Sequence, residues 1–223
     1  MSQNTPDLEA AYSIETPDDN RRVYSAWAET YDKTFAQDMD YRMPAVIAEF
    51  YRRSGGAGNT LDIGAGTGLV AQFLNDLGIG PIDGTDISPE MLVVAGKKRL
   101  YRRLFEGDVT QRLDVPDGTY DGVVSSGTFT LGHVGPEAID ELLRVAAPGA
   151  RFALSINAKH YEKAGFKAKL DSIQGQITDF ALPEAAIYGE NATGDHADAD
   201  QEVTASAVRL GAWSTCLGCA HAG

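Results

Sequence analysis

Three glycines in Gly64-Ala65-Gly66-Thr67-Gly68 follow the short run Leu61-Asp62-Ile63 and precede an apolar stretch that opens at Leu69. Strand, glycine turn and helix in that order make a place where a ligand can meet backbone. Glycine lets the chain approach closely, and a helix N-terminus offers unpaired N–H groups to a polar or anionic group. A dinucleotide fingerprint would carry its third small residue at position 69, but Leu69 stands there and the glycine is Gly68. Pyrophosphate therefore fits less well, and Asp62 could turn its carboxylate to a cationic group instead. Two further carboxylates fall at strand ends. Asp86 closes a second strand, where a doubly wound fold puts an acid on ribose hydroxyls. Asp108, in Glu106-Gly107-Asp108-Val109, follows a third strand and could accept from an exocyclic adenine amine. A carboxylate that accepts from two hydroxyls makes charge-assisted hydrogen bonds and does not tolerate a phosphate there. Singly, each acid could be a helix cap or a loop residue. Together with the glycines they gather at one edge of a sheet, where such folds bind ligands.

The elements that position these groups can be read from periodicity. Asp19 or Asn20 could cap a helix carrying Val23, Trp27 and Tyr31 on one face, and a second helix opens at Pro44 and ends near Gly55. Strands are expected at 60–63, 81–86, 104–106, 120–125 and 151–156. Helices run from Leu69 to Leu77, from Pro89 behind the cap Ser88, and from Pro136 to the Pro148-Gly149 stop. Strands separated by single helices call for right-handed crossovers and a parallel sheet covered on both faces. Further on, 161–180 reads as a helix, Leu182 to Tyr188 as a sixth strand and Gln201 to Leu210 as a seventh.

At the level of motifs the chain resembles the class I S-adenosylmethionine-dependent methyltransferases. Asp62 to Gly68 is similar to their first motif, Asp86-Ile87-Ser88-Pro89-Glu90-Met91-Leu92 to the second, and Glu106-Gly107-Asp108 to the adenine-side motif. Tyr120 to Val124 resembles their fourth strand, and Leu143-Arg144-Val145 through Ala150 their usual helix-to-strand link. The resemblance implies an α/β, Rossmann-like, doubly wound seven-stranded sheet, mostly parallel with an antiparallel last strand. It implies S-adenosyl-L-methionine as cofactor, with Gly64, Ala65, Gly66 and Gly68 at the methionine part, Asp86 on the ribose, Asp108 at the adenine, and Ile87 and Met91 against the ring. Trp27-Ala28-Glu29-Thr30-Tyr31-Asp32 and Gly132-His133-Val134-Gly135 resemble, more loosely, the methyltransferase-like branch named for the Williams–Beuren syndrome region.

Methyl transfer asks the protein to align a nucleophile with an already electrophilic carbon, and a base is needed only for a weakly acidic acceptor. Ser125, Ser126, Gly127, Thr128 and Phe129 leave the fourth strand at the ligand edge, with Ser125 expected at the cofactor. His133 follows and is the candidate base, although a loop or capping histidine fits the same position. Tyr31 is the expected cofactor contact of an N-terminal lid, while Trp27 suits a core position. A non-catalytic cofactor binder and a nucleotide-dependent oxidoreductase are the alternatives, the latter disfavoured by Leu69.

Composition bounds the rest. The 223 residues suit one domain, with 43% hydrophobic and 23% charged residues, and the formal charge is −13. That charge repels polyanions, so a small-molecule acceptor is expected rather than a nucleic acid. No apolar run is long enough for a membrane span and no secretory signal is evident, which points to a cytoplasmic setting. The organisation expected is a flexible arm over 1–19, one methyltransferase domain over 20–210 with its lid in 20–58, and an atypical tail over 211–223. The basic run Lys97 to Arg103 reads as a solvated helix end. In the tail, Cys216, Cys219 and His221 offer three soft ligands, one short of a closed zinc site, so no metal is expected. A disordered tail or a scar of altered coding sequence accounts for it instead.

Overall fold

The computed structural model describes residues 16–37, 40–130, 134–189 and 203–210, the last of these by backbone alone. Helix α1 spans Pro17–Trp27, a π-helical turn covers Asp32–Gln37, and α2 spans Met43–Arg53. Then follow β1 (Thr60–Ile63), α3 (Leu69–Asp76), β2 (Ile82–Asp86), α4 (Pro89–Lys97), β3 (Arg103–Glu106), β4 (Tyr120–Phe129) and α5 (Ala138–Val145). The chain continues through β5 (Ala146–Asn157), α6 (Ala158–Ala164), α7 (Phe166–Ser172), β6 (Ile177–Ala181), β7 (Glu184–Ala185) and β8 (Val203–Leu210). The sheet order is β3-β2-β1-β4-β5-β8-β6, with the two-residue β7 paired to β8. The pairs from β3 to β5 are parallel, and β8 runs antiparallel to β5, β6 and β7. This is the expected mostly parallel α/β sheet with an antiparallel last strand, in eight strands rather than the seven expected, because the short β7 adds to β8.

Alternation along the central strands feeds two cores. Leu61, Ile63 and Val123 pack on one face with Ile139 and Leu142 of α5 and Phe166 of α7. Val124 and Ala153 pack on the other with Ile47 and Tyr51 of α2 and Val70 and Leu74 of α3. Burial on both faces is what a parallel sheet under crossover helices requires.

Five local expectations need correction. The cap of α1 is Thr16, whose Oγ1 accepts from the Asp19 N–H at 3.1 Å, so the helix starts ahead of Asp19. Strand β4 runs on to Phe129. Strand β5 begins at Ala146, and the expected stop Pro148-Gly149 lies inside it as an irregularity: Tyr120 pairs with Ala146, but Gly122 already pairs with Arg151. The single helix expected over 161–180 is divided at Gly165, whose φ of +86° ends α6 and opens α7, and Ile177 to Ala181 is the sixth strand. Of Leu182 to Tyr188 only Glu184–Ala185 is strand.

Candidate functional site

The C-terminal ends of β3, β2, β1 and β4 border one cleft, roofed by Tyr24, Tyr31, Tyr41 and Pro44 from the N-terminal elements. The turn after β1 supplies its floor. Gly64 (φ +64°), Gly66 (+52°) and Gly68 (+92°) all occupy left-handed backbone that glycine tolerates best. At Gly66 a Cβ would meet nothing nearer than the Gly64 carbonyl at 4.0 Å, so the missing side chain leaves open space on the cleft wall.

Asp86 holds this turn in shape. Its Oδ2 accepts from the Gly66 N–H and its Oδ1 from the Ser88 N–H, both at 2.8 Å. Ser88 in turn caps α4, its Oγ accepting from the Met91 N–H. Desolvation pushes the Asp86 carboxyl above the usual carboxylate range, against these backbone donors. Asp108 closes a small turn of its own, with Oδ1 accepting from Thr110 N–H at 2.9 Å and Thr110 Oγ1 at 2.7 Å. Ile87, Met91, Gly107 and Val109 supply the apolar wall between the two acids.

Gly64, Ala65, Gly66, Asp86, Ile87, Met91, Asp108 and Tyr31 thus come together on one surface. Three expected contacts lie behind it. Asp62 is fully buried under the turn, with Oδ2 accepting from the Tyr101 hydroxyl at 2.7 Å and Oδ1 unpartnered. Gly68 faces Tyr101 and Ala95 rather than the cleft. Ser125 is buried with its Oγ 2.8 Å from the Ile63 carbonyl and 2.9 Å from Thr128 Oγ1, so it ties β4 to β1. His133 and the Cys216 to His221 segment lie outside the described residues. Among the described residues no cluster of His, Cys, Asp and Glu could hold a metal.

The contacts that local sequence did not single out come from side chains far apart in the chain. Tyr101 reaches Asp62 by crossing Gly84, where a Cβ would sit 2.7 Å from its ring. An isolated glycine inside a strand is the sequence signal for such an approach. Tyr41 meets Ser126 Oγ at 3.0 Å, and Thr67 of the turn donates to Asp32, which also pairs with Lys98 at 2.6 Å. Arg21 Nε donates to the Ile87 carbonyl at 3.2 Å and Ser25 Oγ to Glu90 at 2.5 Å, so α1 is fastened along α4.

Burial pushes the Asp62 carboxyl up to about 7; its Tyr101 bond pulls it down, and the neighbouring Asp86 pushes it further up. A carboxyl raised by folding binds its proton more tightly in the native chain. Its stabilising contribution is therefore complete below the unfolded value near 3.8 and is lost as the pH rises through about 7. The span is worth at most about 4 kcal/mol. Asp62→Asn keeps an acceptor for Tyr101 without the ionisation. Its melting temperature should gain on the parent as the pH goes from about 5 to about 8. A difference that stays constant over that range would show that Asp62 does not titrate there.

Residues 61–154 match the methyltransferase domain family. The chain is 32% identical over 175 residues to human Methyltransferase-like protein 27, covering 75% of this chain and 71% of that protein. It is 32% identical over 145 residues to the ubiquinone/menaquinone biosynthesis C-methyltransferase of Bdellovibrio bacteriovorus, covering 60% of each. With the demethylmenaquinone methyltransferase of Thermus thermophilus it shares 31% over 142 residues, 59% of this chain and 63% of that one. Among solved structures, a TehB-like S-adenosylmethionine-dependent methyltransferase of Corynebacterium glutamicum shares the fold. Its TM-score is 0.58 at 17% identity, over 85% of this chain and 97% of the other. A glycine turn with room for a ligand, two carboxylates at successive strand ends and these relatives agree: the chain belongs to the class I S-adenosyl-L-methionine-dependent methyltransferases.

Proposed function

We propose that the cleft binds S-adenosyl-L-methionine along the sheet edge and methylates a small molecule that enters on the β4 side. In this reading Gly64, Ala65 and Gly66 take the methionine part, Asp86 the ribose hydroxyls, and Asp108 the adenine amine between Ile87 and Met91. The observation that carries it is the order of these groups, with Asp108 after β3, Asp86 at the end of β2 and the glycines after β1. In this reading the adenine-to-methionine axis runs along one edge, with Ser126 to Thr128 of β4 left for the acceptor. Tyr24, Tyr31 and Tyr41 form a lid over the axis, fastened through Arg21, Ser25 and Asp32.

When bound, the cofactor would supply an electrophilic methyl carbon for transfer to the acceptor, whose proton would pass to solvent or to a base. The protein's part is alignment and exclusion of water. His133 is proposed as that base when the acceptor is a hydroxyl. The quinone-pathway names of two relatives support a small-molecule acceptor, and human Methyltransferase-like protein 27 supports placement in the branch suggested by residues 27–32. Among the described residues no helix is long and apolar enough to cross a membrane. A cytoplasmic setting belongs to the same proposal.

Calorimetric titration should show S-adenosylhomocysteine binding at micromolar affinity or tighter, and no binding of NAD or NADP. Tight NAD binding without a response to S-adenosylhomocysteine would overturn the assignment of the cleft.

A further inference from the structure

The basic run after α4 is not uniformly a solvated helix end. Lys97 fits that reading, since its pair with Glu29 at 2.9 Å leaves both side chains more than half exposed. Lys98 does not. Its Nζ is buried and lies 2.6 Å from Asp32 Oδ2, with the side chain only 22% exposed. The other Asp32 oxygen, Oδ1, accepts from the hydroxyl of Thr67, a buried residue between Gly66 and Gly68 of the turn after β1. Beyond Lys98 the chain reverses at Arg99 (φ +56°), and Tyr101 returns beneath the same turn to Asp62.

This bridge joins opposite walls of the cleft. Tyr31, the chain neighbour of Asp32, belongs to the roof, and Thr67 belongs to the floor, while Asp32 and Lys98 stand behind them. The roof is also stiff at this point. Tyr31 lies 5.1 Å from Trp27 and 5.0 Å from Phe35 between ring centres, and both of those rings are buried. The lysine charge is what keeps Asp32 turned inward. A carboxylate drawn from water needs a countercharge, and without one it would turn out to be solvated. Thr67 would then lose its acceptor, and Tyr31 its fixed place over the glycines.

We propose that Lys98 is a positioning residue for the cofactor: acting through Asp32, it holds Thr67 of the floor and Tyr31 of the roof together and so sets how long the cofactor stays bound. This rests on the assignment of the cleft to S-adenosyl-L-methionine, which the calorimetric titration with S-adenosylhomocysteine tests first and separately.

Surface plasmon resonance on the immobilised full chain gives the association and dissociation rates of S-adenosylhomocysteine. Lys98→Met keeps the apolar stem and removes the charge. It should release the ligand about tenfold faster or more, with association changed by less than about threefold. A lysine that served only the end of α4 would lower the melting temperature and leave both rates alone. Thr67→Val, close to isosteric but without the hydroxyl, should also release faster, and Thr67→Ser should restore the parent rate. Lys97→Met breaks the exposed neighbouring pair and should change neither rate. The double variant Asp32→Asn with Lys98→Met should release no faster than the faster single variant, because both open one bridge. Parent-like release from Lys98→Met, or equal acceleration by Lys97→Met, would overturn the proposal. If Lys98→Met does not fold, the threonine pair decides, and release from Thr67→Ser as fast as from Thr67→Val overturns it. Failure of the parent to bind S-adenosylhomocysteine would instead remove the cofactor assignment beneath it.

Discussion

Asp86→Ala should weaken S-adenosylhomocysteine binding by roughly ten- to a hundredfold, about 1.5–3 kcal/mol, as read by calorimetric titration. The figure is that of removing a charged acceptor from hydroxyl donors. The structure adds a second cost, because the same carboxylate accepts from the Gly66 and Ser88 N–H groups and so shapes the floor of the cleft. Asp86→Asn is expected to lose less than alanine but not to be harmless. Both Asp86 oxygens face backbone donors, so an amide must turn its NH2 toward one of them and give up that bond. The pH dependence follows from the direction of the shift. Since desolvation raises the Asp86 carboxyl, affinity should fall as the pH is lowered, sooner than an ordinary carboxylate would give, and Asp86→Asn should lack that fall. Parent-like affinity in Asp86→Ala would remove this residue from the ribose position.

The parts of this architecture that could be read from sequence are those whose signals are local. Gly64 to Gly68 announce their turn because strand, glycines and helix are contiguous, and Ser88-Pro89 announce α4 because cap and first-turn proline are neighbours. Asp86 and Asp108 gain meaning from strand ends, which periodicity gives without tertiary knowledge. Asp62 and Ser125 lie behind the cleft for one shared reason. Each lies at a motif position beside the ligand edge, yet its oxygen is taken by a partner distant in the chain, Tyr101 for one and the Ile63 carbonyl for the other. The division of 161–180 was hidden because Phe166, Leu170 and Ile173 keep a helical spacing on both sides of expectation, while Gly165 and the strand pairing of Ile177 with Leu210 act against it. Pairing of that kind depends on where β8 lies, and no local pattern carries it.

Gly64→Ala should lower the melting temperature markedly and abolish detectable S-adenosylhomocysteine binding, whereas Gly66→Ala should spare stability far more than binding. Both glycines sit at positive φ, +64° and +52°, so alanine pays a conformational cost of about 1 kcal/mol at either. They differ in what surrounds them. A Cβ on Gly64 would lie 2.0 Å from Thr128 Oγ1 and 3.2 Å from its Cβ, an overlap that Thr128 can relieve only by turning away. Turning breaks its hydroxyl's bond to the Ile63 carbonyl at 3.1 Å, which joins β1 to β4, and its contact with Ser125 of the same strand at 2.9 Å. The buried carbonyl then loses part of its hydrogen bonding, a further cost of about 1–3 kcal/mol. On Gly66 the Cβ meets only open cleft, so the fold tolerates it and the ligand space does not. The pair Gly64→Ala with Thr128→Ala separates the two causes. If the overlap dominates, the double variant should be more stable than Gly64→Ala alone, because the second change removes the atom that the first one strikes. If backbone strain dominates, the two losses should simply add.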